Sequence, residues 1–242
     1  MITILKKEIN EFLNSFIAYV VIGIFLIGIG LLMWVFPKTN VLDYGYATME
    51  TLFSIGPYIF MFLIPAITMK AFAEEKRNGT IELLYTLPFR DIEIILGKFT
   101  AGLVLVLFSL LPTLVYFFSL SNLGNPVGNI DSAGVAGSYI GLVLLAGVFA
   151  SLGILASALA GNQIVSFILA AFLCFIFYAG FDSIASINVW LDSSYFIRQI
   201  GILAHYETLS KGFIDFGDVV YFLSMIVLTL YFTRIILTLQ RR

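Results

Sequence analysis

Apolar runs of the length that crosses a bilayer, about 20 residues each, alternate with short polar segments along the whole chain. Six spans are expected, at about 13–36, 51–71, 96–120, 134–160, 163–182 and 219–239. The first carries no charge from Phe12 to Phe36, the second lies between Glu50 and Lys70, and the third begins after Lys98. From Ser132 to Phe181 there is no charged residue at all, a run too long for one helix and suited to two. Gly161-Asn162-Gln163 is the only polar break near its middle, so the turn is expected there. The sixth run starts at Val219 and has Arg234 close enough to its end to snorkel. Pro57, Pro65 and Pro112 fall inside spans two and three and predict kinks.

The polar segments differ in character. Residues 1–11 place Ile2, Leu5 and Ile9, with Phe12 beyond, near helical spacing, which predicts an amphipathic helix at the membrane surface. Residues 121–133 are rich in Gly, Asn and Pro and predict a turn-rich loop. Residues 183–217 form a longer polar segment on the same side of the membrane. The whole chain, 1–242, is expected to be a single all-α membrane domain.

Composition agrees with the pattern. The chain is 60% hydrophobic and 12% charged, with a mean hydropathy of +1.03. Soluble domains are about half apolar and a quarter charged; the excess belongs in lipid. The single cysteine, Cys174, can make no intrachain disulfide and is expected to pack as a small hydrophobe. Lys6 and Lys7 resemble the start of a signal peptide. Glu8 and Glu11 follow them, however, and the apolar run is long and ends in Phe36-Pro37, so a retained span is expected.

Charge placement sets an orientation. With both termini inside, the inner segments hold Lys6, Lys7, Lys70, Lys76, Arg77, Arg90, Lys98, Arg234, Arg241 and Arg242. The outer ones hold only Lys38, Arg198 and Lys211. This bias predicts cytoplasmic termini and an even number of spans. Lipid is the expected surrounding, and nothing in the charge pattern points to nucleic acid.

What the spans lack narrows the function. No Asp, Glu, Lys, Arg or His lies near the middle of any span, which counts against a proton- or sodium-coupled transporter. It also counts against an intramembrane hydrolase, since no carboxylates pair and the only histidine, His205, lies in the outer segment. One His and one Cys on different segments do not make a metal site. Gly97-Lys98-Phe99 lacks the upstream Gly and the Ser/Thr of a phosphate-binding loop. Neither a catalytic site nor a cofactor is expected in this chain, and any energy for work would come from a partner.

The segment from Phe72 to Lys98 is the largest inner element. Asn78-Gly79 signals a turn. Thr80 can cap a short helix that has Glu82 in its first turn, and Pro88 stops it. Ile81, Leu84, Tyr85 and Pro88 share one face, with Leu83 and Leu87 beside it. Asp91 is the expected cap of the next helix. Such an element is either a docking surface for a partner or a helix resting on lipid headgroups. In the outer segment, Asp218 is the expected cap of the last span, with Asp215 the alternative one turn earlier. His205 and Tyr206 either anchor at the headgroup level or meet an external partner or substrate.

The run Glu74 to Pro88, followed by Gly97-Lys98, resembles the signature of ABC-2-type permeases, E-(K/R)-x-x-G-T-(I/L)-E-x-L-x-(T/S)-x-P. In that family the segment forms the coupling helix between spans two and three and sits in a cleft of a separate ATPase. The resemblance therefore implies docking through Glu74, Glu75, Arg77, Gly79, Thr80, Glu82, Leu83, Leu84, Thr86 and Pro88, within a coupling segment 74–92. Residues 1–11 would be the amphipathic connecting helix, and ATP and Mg²⁺ would be held by the partner ATPase. Two further stretches narrow the likeness. Leu155 to Phe167, with Ser157, Asn162, Gln163, Ser166 and Phe167, is similar to the S-x4-N-Q-x2-(A/S)-F turn of one subgroup. His205, Tyr206, Gly212, Asp215, Asp218 and Tyr221 match the H-(F/Y)-x5-G-x-(I/L)-D-x2-D-x2-Y stretch of the same subgroup. It contains the gliding-motility permease of Bacteroidetes and the permease associated with nitrous-oxide reductase maturation. The resemblance implies a second permease half, a different chain as in the gliding system or else an identical one. The competing expectations are a related exporter of the nitrous-oxide, multidrug or lipid type, and a passive scaffold subunit of an envelope complex.

Overall fold

A computed structural model describes residues 2–43, 45–82, 90–187 and 194–241. Among these the chain is helical throughout, with no strand. The helices are α1 (Ile2–Leu13), α2 (Phe16–Trp34), α3 (Glu50–Thr68), α4 (Ala73–Arg77), α5 (Asp91–Leu110) and α6 (Leu114–Leu123). They continue with α7 (Ser132–Leu159), α8 (Gln163–Phe175), α9 (Phe181–Ala185), α10 (Ser194–Ile200), α11 (Ile202–Ser210) and α12 (Phe216–Gln240). Five stretches are long and apolar enough to cross a membrane: α3, α5 with α6, α7, α8 with α9, and α12. The sharply bent pair α1–α2 makes a sixth when counted as one span.

The core is organised around α7, which touches α3, α5, α8, α11 and α12. Its sequence explains why. Gly, Ala and Ser recur along it, and small residues let helix backbones approach closely where no hydrophobic effect drives packing. A methyl group added at Gly153 would strike the Thr68 hydroxyl of α3, and one at Gly141 would lie 2.6 Å from Leu209 Cβ of α11. At its start, α7 packs Gly134 and Gly137 directly against the backbone of Gly212, whose φ of +85° also demands glycine. Phe149, Leu145 and Val148 fill the remaining volume and are fully buried.

Helix ends and breaks have local causes. Between α7 and α8, Asn162 Oδ1 accepts the Val165 N–H at 2.9 Å and caps α8. α3 runs without interruption through Pro57 and Pro65, where kinks are expected from sequence. Only Pro112 coincides with a change of helix type, a 3₁₀ turn at Leu111–Thr113 between α5 and α6. A π turn at Ile176–Gly180 joins α8 to α9 and buries Tyr178 beside Phe149 and Tyr206.

Two expected caps are corrected. Arg90, not Asp91, precedes α5. Asp91 is already helical, and the Glu93 carboxylate reaches back to accept the Arg90 N–H at 2.9 Å. At α12 the cap is Asp215, which accepts from Gly217 N at 3.2 Å, while Asp218 lies in the first turn and turns elsewhere. α5 also starts earlier than the apolar run. Lys98 therefore stands two turns inside the helix and is buried, where the sequence places it at the edge.

Candidate functional site

The end of the bundle that carries both α1 and the last turn of α12 also holds the first part of the coupling segment. α3 ends at Thr68, and the chain turns through Met69–Phe72 into the single-turn-and-a-half helix α4. The first N–H groups of a helix have no partner within it. Here they are met by another helix: the Ser157 hydroxyl of α7 accepts from Phe72 N at 2.9 Å and Ala73 N at 3.0 Å, and donates to Met69 O at 3.1 Å. In return Lys76 of α4 donates its ammonium to the Ala158 carbonyl at the end of α7, and Gln240 Nε2 of α12 lies 3.3 Å from the same oxygen. A cation suits a helix C-terminus. Burial nonetheless pushes the Lys76 amine below its ordinary range.

Glu75 points the opposite way, toward α1 and α5. Its Oε1 is 3.1 Å from Lys98 Nζ of α5, which is also 2.6 Å from Glu8 Oε1 of α1. Lys98 is 3% exposed, and its ammonium sits 5.2 Å from the centroid of the Phe72 ring. Lys7 approaches Glu75 from the surface at 3.8 Å. The second oxygen of Glu75 is buried with no hydrogen-bond partner. Burial, as the largest effect, raises the Glu75 carboxyl above the usual carboxylate range, against the opposing pull of Lys98.

α4 closes in a glycine turn. Gly79, at φ +68°, donates to Lys76 O at 3.2 Å and Thr80 N donates to Glu75 O at 2.9 Å, the paired bonds of a Schellman end. The Thr80 hydroxyl also bonds back to Glu75 O at 3.3 Å, and Ile81 and Glu82 are again helical. Of the docking residues implied by resemblance, Arg77, Gly79, Thr80 and Glu82 are exposed and Glu74 is half-buried. Glu75 faces the interior instead. Leu83, Leu84, Thr86 and Pro88 lie outside the described residues. α1, expected to lie on lipid through Ile2, Leu5, Ile9 and Phe12, packs on α5 with Ile4 buried and Glu8 turned inward. The signal for this cluster in the sequence is thin: one lysine at the start of an apolar run and two acidic residues in distant polar segments.

The outer motif assembles at the opposite end. His205 Nδ1 lies 2.7 Å from Asp218 Oδ1 and Nε2 lies 3.0 Å from Gln199 O, while Thr208 Oγ1 donates to Asp218 Oδ2 at 2.5 Å. The imidazole stacks on Tyr221 with ring centroids 3.9 Å apart, and Tyr221 donates to Ile200 O at 2.6 Å. Tyr206 is buried within the bundle and donates to Phe53 O of α3 at 2.8 Å. Burial holds its phenol well above the usual range. These residues pin α10 and α11 onto α3 and α12, and both nitrogens of His205 are engaged within the chain. A cavity of about 520 Å³ opens beside them, lined by Glu50, Asp131, Glu207 and Lys211 among others. No group of three His, Cys, Asp or Glu that could hold a metal occurs among the described residues.

A helical bundle of five or six apolar spans, with a short polar element inserted between the second and third and anchored into the bundle, is a multi-pass membrane domain. A family model described as "ABC-2 family transporter protein" matches residues 2–239, and the chain belongs to that family. It is thus a membrane permease subunit of an ABC transporter, a class that moves cargo and is generally without a catalytic site of its own. No curated protein matches the chain.

Proposed function

We propose that this permease is driven by ATP hydrolysis in a separate ATPase subunit that seats on segment 74–92. The observation that carries this reading is the two-sided character of α4 and its turn. The inner side is tied to α1, α5 and α7 through Glu75, Lys76 and Ser157, while Arg77, Asn78, Gly79, Thr80 and Glu82 stand exposed. An element joined to three helices and presenting a polar outer face passes on a push. A helix resting on headgroups needs no such ties. ATP and Mg²⁺ belong to the ATPase.

The positive-inside bias supports a cytoplasmic docking end, cytoplasmic termini and residence in the inner membrane. The likeness of residues 205–221 and 157–167 to the gliding-motility subgroup supports gliding motility as the process and a different permease chain as the second half. Affinity purification of tagged protein in mild detergent tests both readings, wild type beside Glu82→Arg, with mass spectrometry of what is captured. Wild type should bring down an ABC ATPase and the folded charge-reversed variant should lose at least tenfold of it. Full retention by the variant, or no ATPase with wild type, would overturn seating of the ATPase on this segment. Capture of only identical copies would replace the heterodimer by a homodimer.

A further inference from the structure

The ion cluster around Lys98 lies on the inner side of α4, away from the exposed surface of the docking segment. We propose that Lys98 is a positioning residue for coupling. It locks α1, α4 and the first two turns of α5 into one body, so that displacement of the docking segment reaches the first and third spans together. This rests on the docking reading above.

Three observations carry it. The partners of Lys98 come from two separate elements, Glu8 of α1 and Glu75 of α4, at 2.6 and 3.1 Å from a single nitrogen. Glu75 in turn pairs with Lys7 of α1 at 3.8 Å as well as with Lys98 of α5, so the three elements are joined through the two residues at the centre. The ammonium at the centre of the cluster is closed to water, with Lys98 3% exposed and the Phe72 ring beside it. Only one ammonium, that of Lys98, is buried with the two carboxylates, since Lys7 approaches from the surface, and one carboxylate oxygen of Glu75 is left without a partner.

Such a cluster is a poor choice for stability alone. Buried ion pairs are often matched or bettered by apolar residues of the same volume. What they resist is separation, because pulling either carboxylate away leaves an uncompensated charge in a dry site. Resistance to separation with little gain in stability is the property of a tie. α1 leads directly into α2 and Lys98 is part of α5, so the tie converts motion of α4 into motion of two spans. The bonds of Ser157 and Lys76 to α7 differ in kind, since they satisfy helix ends that need partners wherever the helices sit.

Lys98→Met alone would leave two carboxylates facing each other and is expected to fold poorly. Glu8→Gln with Lys98→Met keeps the net charge and leaves Glu75 beside Lys7, and is the informative variant; Lys98→Arg is the conservative one. Spin labels at Lys6→Cys on α1 and Thr238→Cys on α12, both exposed positions, report the α1–bundle distance in a Cys174→Ala background in lipid nanodiscs. Without ATPase, the parent should give one narrow distance. The double variant should broaden it at least twofold and Lys98→Arg should restore it. Equal widths in parent and double variant overturn the tie. With the captured ATPase trapped by vanadate, the parent distance should shift. The double variant should lose most of that shift while still capturing ATPase and hydrolysing ATP within about twofold of the parent. The same shift in the double variant overturns the coupling role. If the parent captures no ATPase, the docking reading fails and the coupling role with it, while the widths still decide the tie.

Discussion

Glu75 shows how one residue in a recognition-like motif can serve the inside of the protein. Its neighbours Glu74 and Arg77 lie on the outward part of the same short helix, yet its own carboxylate meets Lys98 and keeps one oxygen unpaired. Burial is the main reason its carboxyl is raised above the ordinary value of 4.5. A carboxyl raised in the folded state favours folding most when protonated. Its contribution is fully present below pH about 4.5 and is lost as pH rises through the raised value. Glu75→Gln keeps the shape without the charge. The melting temperature of that variant in detergent, measured from pH 4 to 8, should therefore gain on wild type as pH rises. A constant difference, or one that grows toward low pH, would show that pairing with Lys98 outweighs burial at this site.

At the scale of elements, α7 is the helix that decides the packing, and its glycines are the means. Gly153 faces Thr68 so closely that even one methyl group must displace α3 or α7. Overpacking of this kind costs about 1–3 kcal/mol, and the displaced helix is the one that delivers the chain to α4. Gly153→Ala should lower the melting temperature in detergent by several degrees and weaken ATPase capture with it, whereas Gly161→Ala, in open space at the turn after α7, should change neither. If Gly153→Ala melts with wild type, the α3–α7 contact is looser than the geometry describes. The hydrogen bonds of Ser157 lie one turn further along the same face, so the face of α7 that accepts α3 also caps α4.

For the whole molecule, the two ends of the bundle carry different chemistry. One end has a buried ion cluster and an exposed polar segment; the other has a network of neutral and carboxylate hydrogen bonds around His205 and an open cavity. The proposed orientation puts the first end in the cytoplasm. In a Cys174→Ala background, Lys38→Cys and Lys211→Cys should react with a membrane-impermeant maleimide in intact cells from which the outer barrier has been removed, and Arg77→Cys only after permeabilisation. The reverse pattern would invert the topology and move the docking segment to the wrong side for an ATPase.

Hydropathy alone was enough to read a multi-pass membrane protein. Backbone groups in lipid must be satisfied within the segment, so long apolar runs can only be helices, and the family signature around Gly79 and Thr80 is local in the chain. The glycine turn was legible for the same reason, since Asn78-Gly79 acts through its own backbone angles. Tertiary structure decided everything that depends on distant partners. Asp215 rather than Asp218 caps α12 because Asp218 is claimed by His205 and Thr208. Glu8, Glu75 and Lys98 stand up to 90 residues apart in the chain, and no period or spacing ties them. They meet because α1 folds back on α5 while Ser157 fixes where α4 begins, and a charge kept out of water must be placed where its counter-charges already are.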